Sequence, residues 1–436
     1  MRRIGFGNCP YCGSSDVRPS RTTTSWQKVP VMMGFQLSRC LACMRRHYSL
    51  RGGGGLGVAR RTPSLAAIVE PDAETEESSS KRSPSLIEVG LLWLFVASLF
   101  VVVLTRFQTY TAKVDAFGDN GPYLQAANAI RHWDFRGVTA KQFWGLPYLI
   151  AGVSRLHVPA RSSLLLICIV SSLVSVLLAY QLWGPWIAAF FTVLNFCWIQ
   201  VSLLGGAEPL FLALLFSSFW LIRKERWLWA SGFAALATLV RPLGFFALLG
   251  IGLALIFRRD YKKALACTFF AVLIGGLYLL PFWIYFHDPL YQVDQYRLYD
   301  WQAESAVSWP FRAILLSFLH NREPWTNVTF TLGWITFALV GLCAMTGKGF
   351  RQYIQEHRAE CIFAFCYLIF LFTYNSVVWA RAEFPRFVIP VVPFLLLAFD
   401  RWLPRSRYVL YGLGVVSSVL GACSAIGIRN VVAALR

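Results

Sequence analysis

From Leu86 onward, apolar runs alternate with short polar loops. A bilayer core takes about 20 apolar helical residues. The pattern therefore predicts an all-α polytopic membrane domain over 86–436 with about eleven spans, at 86–105, 161–180, 185–203, 208–222, 227–240, 243–257, 264–285, 327–346, 361–378, 387–400 and 408–427. Several of these are short and need tilt or close neighbours. The 31-residue apolar stretch from Trp227 to Phe257 contains Arg241-Pro242, and a proline there divides it into two short helices. Two long loops, 106–160 and 286–326, and a short one, 378–386, fall on one side of the membrane. In the first, YLQAANAIRHW and FWGLPYLIAGV have the periodicity of amphipathic helices lying along the membrane surface.

Before Leu86 the pattern changes. Residues 1–50 carry short alternating stretches, FQLSRC and RRHYSL, that predict a small β-type module. Residues 51–85, with RGGGGLG and EPDAETEESSSKRSPS, offer nothing to bury and read as a flexible linker. No apolar core precedes 86–105, so that segment is expected to be the first membrane helix and not a cleaved leader.

Composition agrees with the pattern: 56% of residues are hydrophobic and 14% charged, too apolar for an ordinary soluble enzyme of this length. The formal charge of +19 raises the question of nucleic acid. Its distribution answers it, because RKER (223–226), RRDYKK (258–263), GKGFRQYIQEHR (347–358) and DRWLPRSR (400–407) all fall on the side of the N-terminus. That is the positive-inside arrangement with a cytoplasmic N-terminus. The basic residues of the N-terminal module, Arg18, Arg21, Lys28, Arg39, Arg45 and Arg46, are scattered and lack a recognition helix, which argues against nucleic acid as a partner.

Four of the cysteines form two knuckles, Cys9-Pro-Tyr-Cys12 and Cys40-Leu-Ala-Cys43, separated by 27 residues. This spacing presents four thiolates to one tetrahedral Zn2+, and so short a segment needs a metal because it cannot bury enough core. Two disulfides are the alternative and would need an oxidising compartment. Four sulfur ligands leave no site for water, so the zinc ribbon is structural. The remaining cysteines sit singly in apolar runs and read as packing residues.

Chemistry is concentrated at the other side. VDAFGDNGPYLQAANAI places Asp115 and Asp119 just past the first span, where charge is costly and seldom without a use. One carboxylate can take a proton from an attacking hydroxyl, and a phosphate leaving group needs cations. Arg241, Arg297, Arg381 and Arg386 are all expected near that face, and a guanidinium fork matches phosphate oxygens. Glu208, at a helix start, and Asp288, in His-Asp-Pro-Leu, are further substrate-binding candidates. A helix cap and a turn are their plain alternatives. Arg241 could equally snorkel to the interface.

In this order along the chain, GDNGPYL, FWGLPYLIAGVSRL, AEPLFLALLF (207–216), LVRPLGFFAL (239–248), HDPLYQVDQ (287–295) and FPRFVIPVVPFLLL (384–397) resemble the C superfamily of membrane glycosyltransferases, especially mannosyltransferases using polyprenyl-phosphate sugars. His287 stands where that family commonly has Gly, and Asp119 is followed by Asn120 instead of a second acid. The resemblance implies inverting transfer of mannose or a similar hexose from a polyprenyl-phosphate donor to a hydroxyl of a lipid, glycan or protein acceptor. It gives the loop acid the role of base, Asp119 first and Asp115 second. It implies no redox cofactor and no required divalent metal, though such a metal is left open. The expected location is a bacterial inner membrane with the site on the outer face. The Asn327-Val-Thr329 sequon, the sign of an endoplasmic reticulum lumen, abuts a span and reads as accidental. The rival class is a polytopic transporter with a cytoplasmic zinc-ribbon head, against which stands the lack of an internal hydropathy repeat.

Overall fold

A Ser-x-x-Glu box starts the first membrane helix. Ser85 Oγ accepts from the Glu88 N–H at 3.2 Å, and the Glu88 carboxylate accepts from the Ser85 N–H at 2.7 Å, so two orphan donors are satisfied reciprocally. The structure is a computed structural model that describes residues 4–5, 17–19, 35–40, 46–50, 83–135, 138, 142–299, 307–319, 325–375 and 383–426. It divides into two units, Met1–Ala73 and Glu74–Arg436.

In the first unit, β1 (Ile4–Gly5), β2 (Val17–Pro19), β3 (Phe35–Cys40) and β4 (Arg46–Leu50) form a sheet in the order β1-β4-β3-β2. β3 and β4 are antiparallel with Phe35 opposite Leu50, β2 runs antiparallel to β3 with Val17 opposite Cys40, and β1 is parallel to β4. The two alternating stretches of the sequence are thus the paired central strands. Cys40 ends β3, whereas Cys9, Cys12 and Cys43 lie outside the described residues.

The second unit is helical. Its first half runs α1 (Leu86–Phe107), α2 (Tyr110–Ala116), α3 (Asn120–His132), α4 (Gly145–Ser154), α5 (Ala160–Trp183), α6 (Pro185–Leu194), α7 (Phe196–Leu204), α8 (Glu208–Arg223), α9 (Trp227–Val240) and α10 (Phe245–Phe257). The second half continues with α11 (Tyr261–Phe286), α12 (Tyr291–Tyr299), α13 (Arg312–Leu319), α14 (Trp325–Met345), α15 (Lys348–Glu356), α16 (Arg358–Thr373), α17 (Phe384–Phe387), α18 (Val392–Ala398) and α19 (Arg407–Ile426). This is an all-α polytopic membrane architecture. The two amphipathic segments expected in the first long loop are α3 and α4. In α3, Asn120, Tyr123, Ala126, Ala127 and Ile130 line the buried side.

Helix is found in every expected span over its described residues, but its continuity does not follow the expectation. Among the described residues, four helices are long and apolar enough to cross a membrane alone, α1, α5, α11 and α19, or up to six if each bent pair counts as one span. The expected span 185–203 is such a pair, α6 and α7, bent by 76° at Asn195. The Asn195 side chain accepts from the Cys197 N–H at 2.9 Å and donates to the Pro385 carbonyl at 2.7 Å, so the break is bonded into the fold. The basic segment 347–358, expected as a loop, contains α15.

Side-chain contacts sort the loops into two ends of the bundle. At one end Arg407 pairs with Glu88 at 2.9 Å, Arg258 with Glu225 at 3.0 Å, and Arg405 lies 5.5 Å over the Trp186 ring. At the other end Tyr110 donates to the Leu203 carbonyl and Gln292 Nε2 donates to the Gln142 carbonyl at 2.5 Å. The expected basic loops fall at the first end and the long acid-bearing loops at the second.

α8 runs between these ends. It is apolar on nearly all sides, with Phe211, Leu212, Leu215, Phe216 and Phe219 fully buried, the mark of a central helix. Its length is roughly 24 Å at 1.5 Å per residue. At its C-terminus the Arg223 fork donates from Nε and Nη2 to the two oxygens of Glu360, each at 2.8 Å. Arg223 also donates to the Leu182 carbonyl, and the Tyr353 hydroxyl donates to Glu360 while accepting from Trp183 Nε1 at 2.7 Å. α5, α8, α15 and α16 are therefore joined through one buried carboxylate. Replacing Glu360 with Leu leaves the guanidinium without its partner and should cost about 3–5 kcal/mol, whereas Tyr353→Phe should cost about 1 kcal/mol. Thermal unfolding in detergent micelles measures the order of the two.

Candidate functional site

α2 ends at Ala116, and the chain turns through Phe117, Gly118 and Asp119 into α3. Gly118 holds φ at +52°, a left-handed value that suits glycine, and a side chain there would lie 3.5 Å from Arg386 Nη1. Asp119 occupies the N-cap position of α3, but its side chain makes no capping bond. Its carboxylate instead accepts from Gln142 Nε2 at 3.4 Å. The plain alternative, an aspartate serving only to cap a helix, is absent from the geometry.

The next residue fixes the turn. Asn120 is fully buried and its Nδ2 donates to the carbonyls of Val114 and Leu204, each at 2.7 Å. That brings the turn against the Gly205-Gly206 link between α7 and α8. Gly205 has φ +108°, and a Cβ there would meet Asn120 Nδ2 at 2.7 Å, so only glycine fits. Immediately beyond it α8 begins with Glu208.

Glu208 is 1% exposed and lies between two guanidiniums. Arg241 Nη2 donates to its Oε1, Arg386 Nε donates to the same oxygen, and Arg386 Nη2 donates to Oε2 at 3.2 Å. Each arginine arrives from a proline-shaped break. Arg241 is the extended C-cap of α9 before a 3-10 turn at Pro242–Gly244, and Arg386 sits in α17 after Pro385. The Phe387 ring lies under both, 4.7 Å from the Arg241 guanidinium and 6.0 Å from that of Arg386. Within this triad one carboxylate faces two guanidiniums, and the Glu383 carboxylate acts on Arg386 as well. Arg241 Nε is buried and has no hydrogen-bond partner among the described residues.

Tyr123 lies near both the acid and this triad. It is buried one turn into α3, and burial pushes its phenol well above the usual value. The neighbouring Asp119 carboxylate pushes the same way, while Arg241 opposes it, so the phenol stays protonated and can donate. Asp119, Tyr123, Glu208, Arg241 and Arg386 thus form one cluster at the end of the bundle carrying the long loops.

The other expected residues separate from it. Asp115 lies in an exposed, two-pronged ion pair with Arg161, whose Nε donates at 2.7 Å; the side chains are 42% and 43% exposed. Asp288 accepts from the Leu290 N–H at 2.8 Å and closes the turn after α11. His287, the departure from Gly, takes the left-handed C-cap of α11 at φ +55°, a position glycine usually fills. Arg297 lies in α12 with its side chain outside the described residues, and Arg381 is outside them entirely. The second copy of an acid that the sequence lacks after Asp119 is replaced structurally by Asn120. Gln142, Asn120 and Tyr123 are site residues that sequence reading missed, because uncharged polar side chains in an amphipathic loop carry no signal of their own. The Gly205-Gly206 pair before Ala-Glu-Pro was the one visible mark of the close approach.

Glu208→Gln leaves two guanidiniums facing each other with one counter-charge gone, and should cost about 3–5 kcal/mol. Asp115→Asn removes only a solvent-screened pair and should stay below about 1 kcal/mol. Thermal unfolding of both variants beside the parent reads this contrast.

No known family model matches the chain, and no curated protein matches it. Among solved structures it is similar to ArnT from Cupriavidus metallidurans, which was crystallised bound to undecaprenyl phosphate, at 15% sequence identity and a TM-score of 0.45. The similarity covers 73% of this chain and 61% of that one, so this chain matches less than two thirds of that protein's length.

Proposed function

We propose that the chain is an integral membrane glycosyltransferase that moves a sugar, mannose or a similar hexose, from a polyprenyl-phosphate donor to an acceptor hydroxyl. The observation that carries this reading is a carboxylate with no capping bond, Asp119, beside a buried arginine pair that shares a single ion-paired carboxylate, Glu208. Asp119 takes the proton of the acceptor hydroxyl as its oxygen attacks the anomeric carbon. The bond from that carbon to the phosphate oxygen breaks on the opposite face, which inverts the configuration. Negative charge then gathers on the departing lipid phosphate, where Arg241 and Arg386 hold it while Glu208 keeps both guanidiniums in place. Tyr123, held protonated by burial, lies within the same cluster.

In this reading the site end faces outward from a bacterial inner membrane and the basic end faces the cytoplasm. The four N-terminal cysteines hold a structural zinc ion that takes no part in the transfer. The acceptor is a hydroxyl of a lipid, a glycan or a protein. A transporter is the second reading, favoured by the bent pair α6 and α7, since broken helices line substrate paths.

Transfer of radiolabelled sugar from a polyprenyl-phosphate donor in proteoliposomes tests the proposal. Asp119→Asn should lower turnover by at least about 10²-fold, with folding and membrane insertion intact. Asp115→Asn and a chain lacking residues 1–50 should both retain transfer. Uptake of free sugar without transfer would favour the transporter, and full activity of the Asp119→Asn chain would refute the base.

A further inference from the structure

The second long loop supplies a motif, His-Asp-Pro-Leu-Tyr-Gln, whose acid only shapes a turn. That turn has a consequence. Asp288 and the left-handed His287 reverse the chain after α11, and Phe286 then stacks on Tyr291 with ring centroids 4.0 Å apart and planes at 7°. The residue presented by this reversal is Gln292, in the first turn of α12, only 3% exposed.

Both ends of the Gln292 amide are used. Its Oε1 accepts from the Tyr278 hydroxyl at 2.6 Å, and its Nε2 donates to the Gln142 carbonyl at 2.5 Å. The Tyr278 hydroxyl also accepts from the Trp144 N–H at 2.9 Å, so the backbone is gripped on both sides of residue 143. Gln142, held there by its carbonyl, extends its side-chain amide to Asp119 Oδ1. A continuous chain of hydrogen bonds thus runs from α11 through α12 to the acid of the first loop.

We infer that Tyr278, Gln292 and Gln142 are positioning residues that set the orientation of Asp119 for proton transfer, so that docking of the second outer loop assembles the base of the first. This rests on the reading of Asp119 as the base. A hydrogen bond to Oδ1 turns the carboxylate so that Oδ2 faces the acceptor. The Gln142–Asp119 contact is long, 3.4 Å, and catalytic hydrogen bonds commonly tighten only in the substrate complex. Amides serve this purpose well because they are fixed by their own partners and bring no charge that would compete with the arginines. Misplacing a catalytic group by about 1 Å can cost about 10²-fold in rate.

Gln292→Glu provides the test. It keeps the volume and the acceptor for Tyr278 but replaces the donor to the Gln142 carbonyl with a carboxylate oxygen. Full-length parent, Gln292→Glu, Asp119→Asn and the double variant are compared in the proteoliposome transfer assay and by hydrogen–deuterium exchange of residues 117–121. The relay predicts that Gln292→Glu lowers kcat by about tenfold or more while donor KM stays within about twofold. It also predicts faster exchange in 117–121 relative to the transmembrane helices of the same variant, and no further loss when Gln292→Glu is added to Asp119→Asn. Parent kcat and parent exchange in Gln292→Glu would overturn the relay, as would an additive loss in the double variant. Should Asp119→Asn transfer as well as the parent, the base assignment fails instead, and the exchange measurement still decides whether Gln292 holds the Asp119 turn.

Discussion

A carboxylate buried between two guanidiniums organises this molecule. Taking ions out of water costs several kcal/mol each even after relaxation, and Glu208, Arg241 and Arg386 are all largely buried. The arrangement is tolerable only as a set, because removing the carboxylate would leave two like charges in an apolar surround. As a set it ties three otherwise unrelated chain breaks together: the start of α8, the Arg-Pro interruption between α9 and α10, and the Phe-Pro-Arg turn of α17. The Asp119 turn then rests on this foundation through Gly118 and Asn120.

The opposite end of α8 carries a second buried network, Arg223 with Glu360 and Tyr353, of a different kind. There one carboxylate meets one guanidinium, the charges cancel, and the remaining donors close on a backbone carbonyl and a phenol. One end of the central helix is thus electrically closed and holds packing. The other sets two guanidiniums on one carboxylate and faces the long loops. A central apolar helix clamped at both ends cannot slide along its axis, which keeps Glu208 at a fixed depth relative to Asp119. This rigidity suits a site in which a proton acceptor and a phosphate cradle come from different elements.

Much of the fold was legible in the sequence because hydropathy reports burial directly. Helix lies wherever an apolar run predicted it, the FQLSRC and RRHYSL stretches pair as strands, and the Arg-Pro pair breaks its helix as proline must. The 76° bend at Asn195 was invisible, since Phe-Phe-Thr-Val-Leu-Asn-Phe-Cys-Trp reads as one apolar run and a single asparagine does not announce which carbonyl it will bind. At the site, Asp119, Glu208, Arg241 and Arg386 stood out because charge next to a membrane is costly. Asp115 stood out for the same reason and proves to be an exposed ion pair, so cost alone does not separate a buried acid from one that reaches solvent. Pairing information was missing throughout: nothing in the sequence says that Glu208 sits between Arg241 and Arg386, which come from positions far apart in the chain. The role of Gln142 and Gln292 was out of reach for the same reason.

The central claim is that the arginine pair at Glu208 holds a lipid phosphate independently of the acid beside it. Binding of undecaprenyl phosphate to the purified full-length chain in detergent, followed by native mass spectrometry, tests it most directly on the parent, Arg241→Gln and Asp119→Asn. Loss of one charge-assisted contact is worth about 1.5–3 kcal/mol, or roughly tenfold to a hundredfold in affinity. The account predicts that loss in Arg241→Gln and parent-like binding in Asp119→Asn. Equal binding by Arg241→Gln and the parent would contradict it.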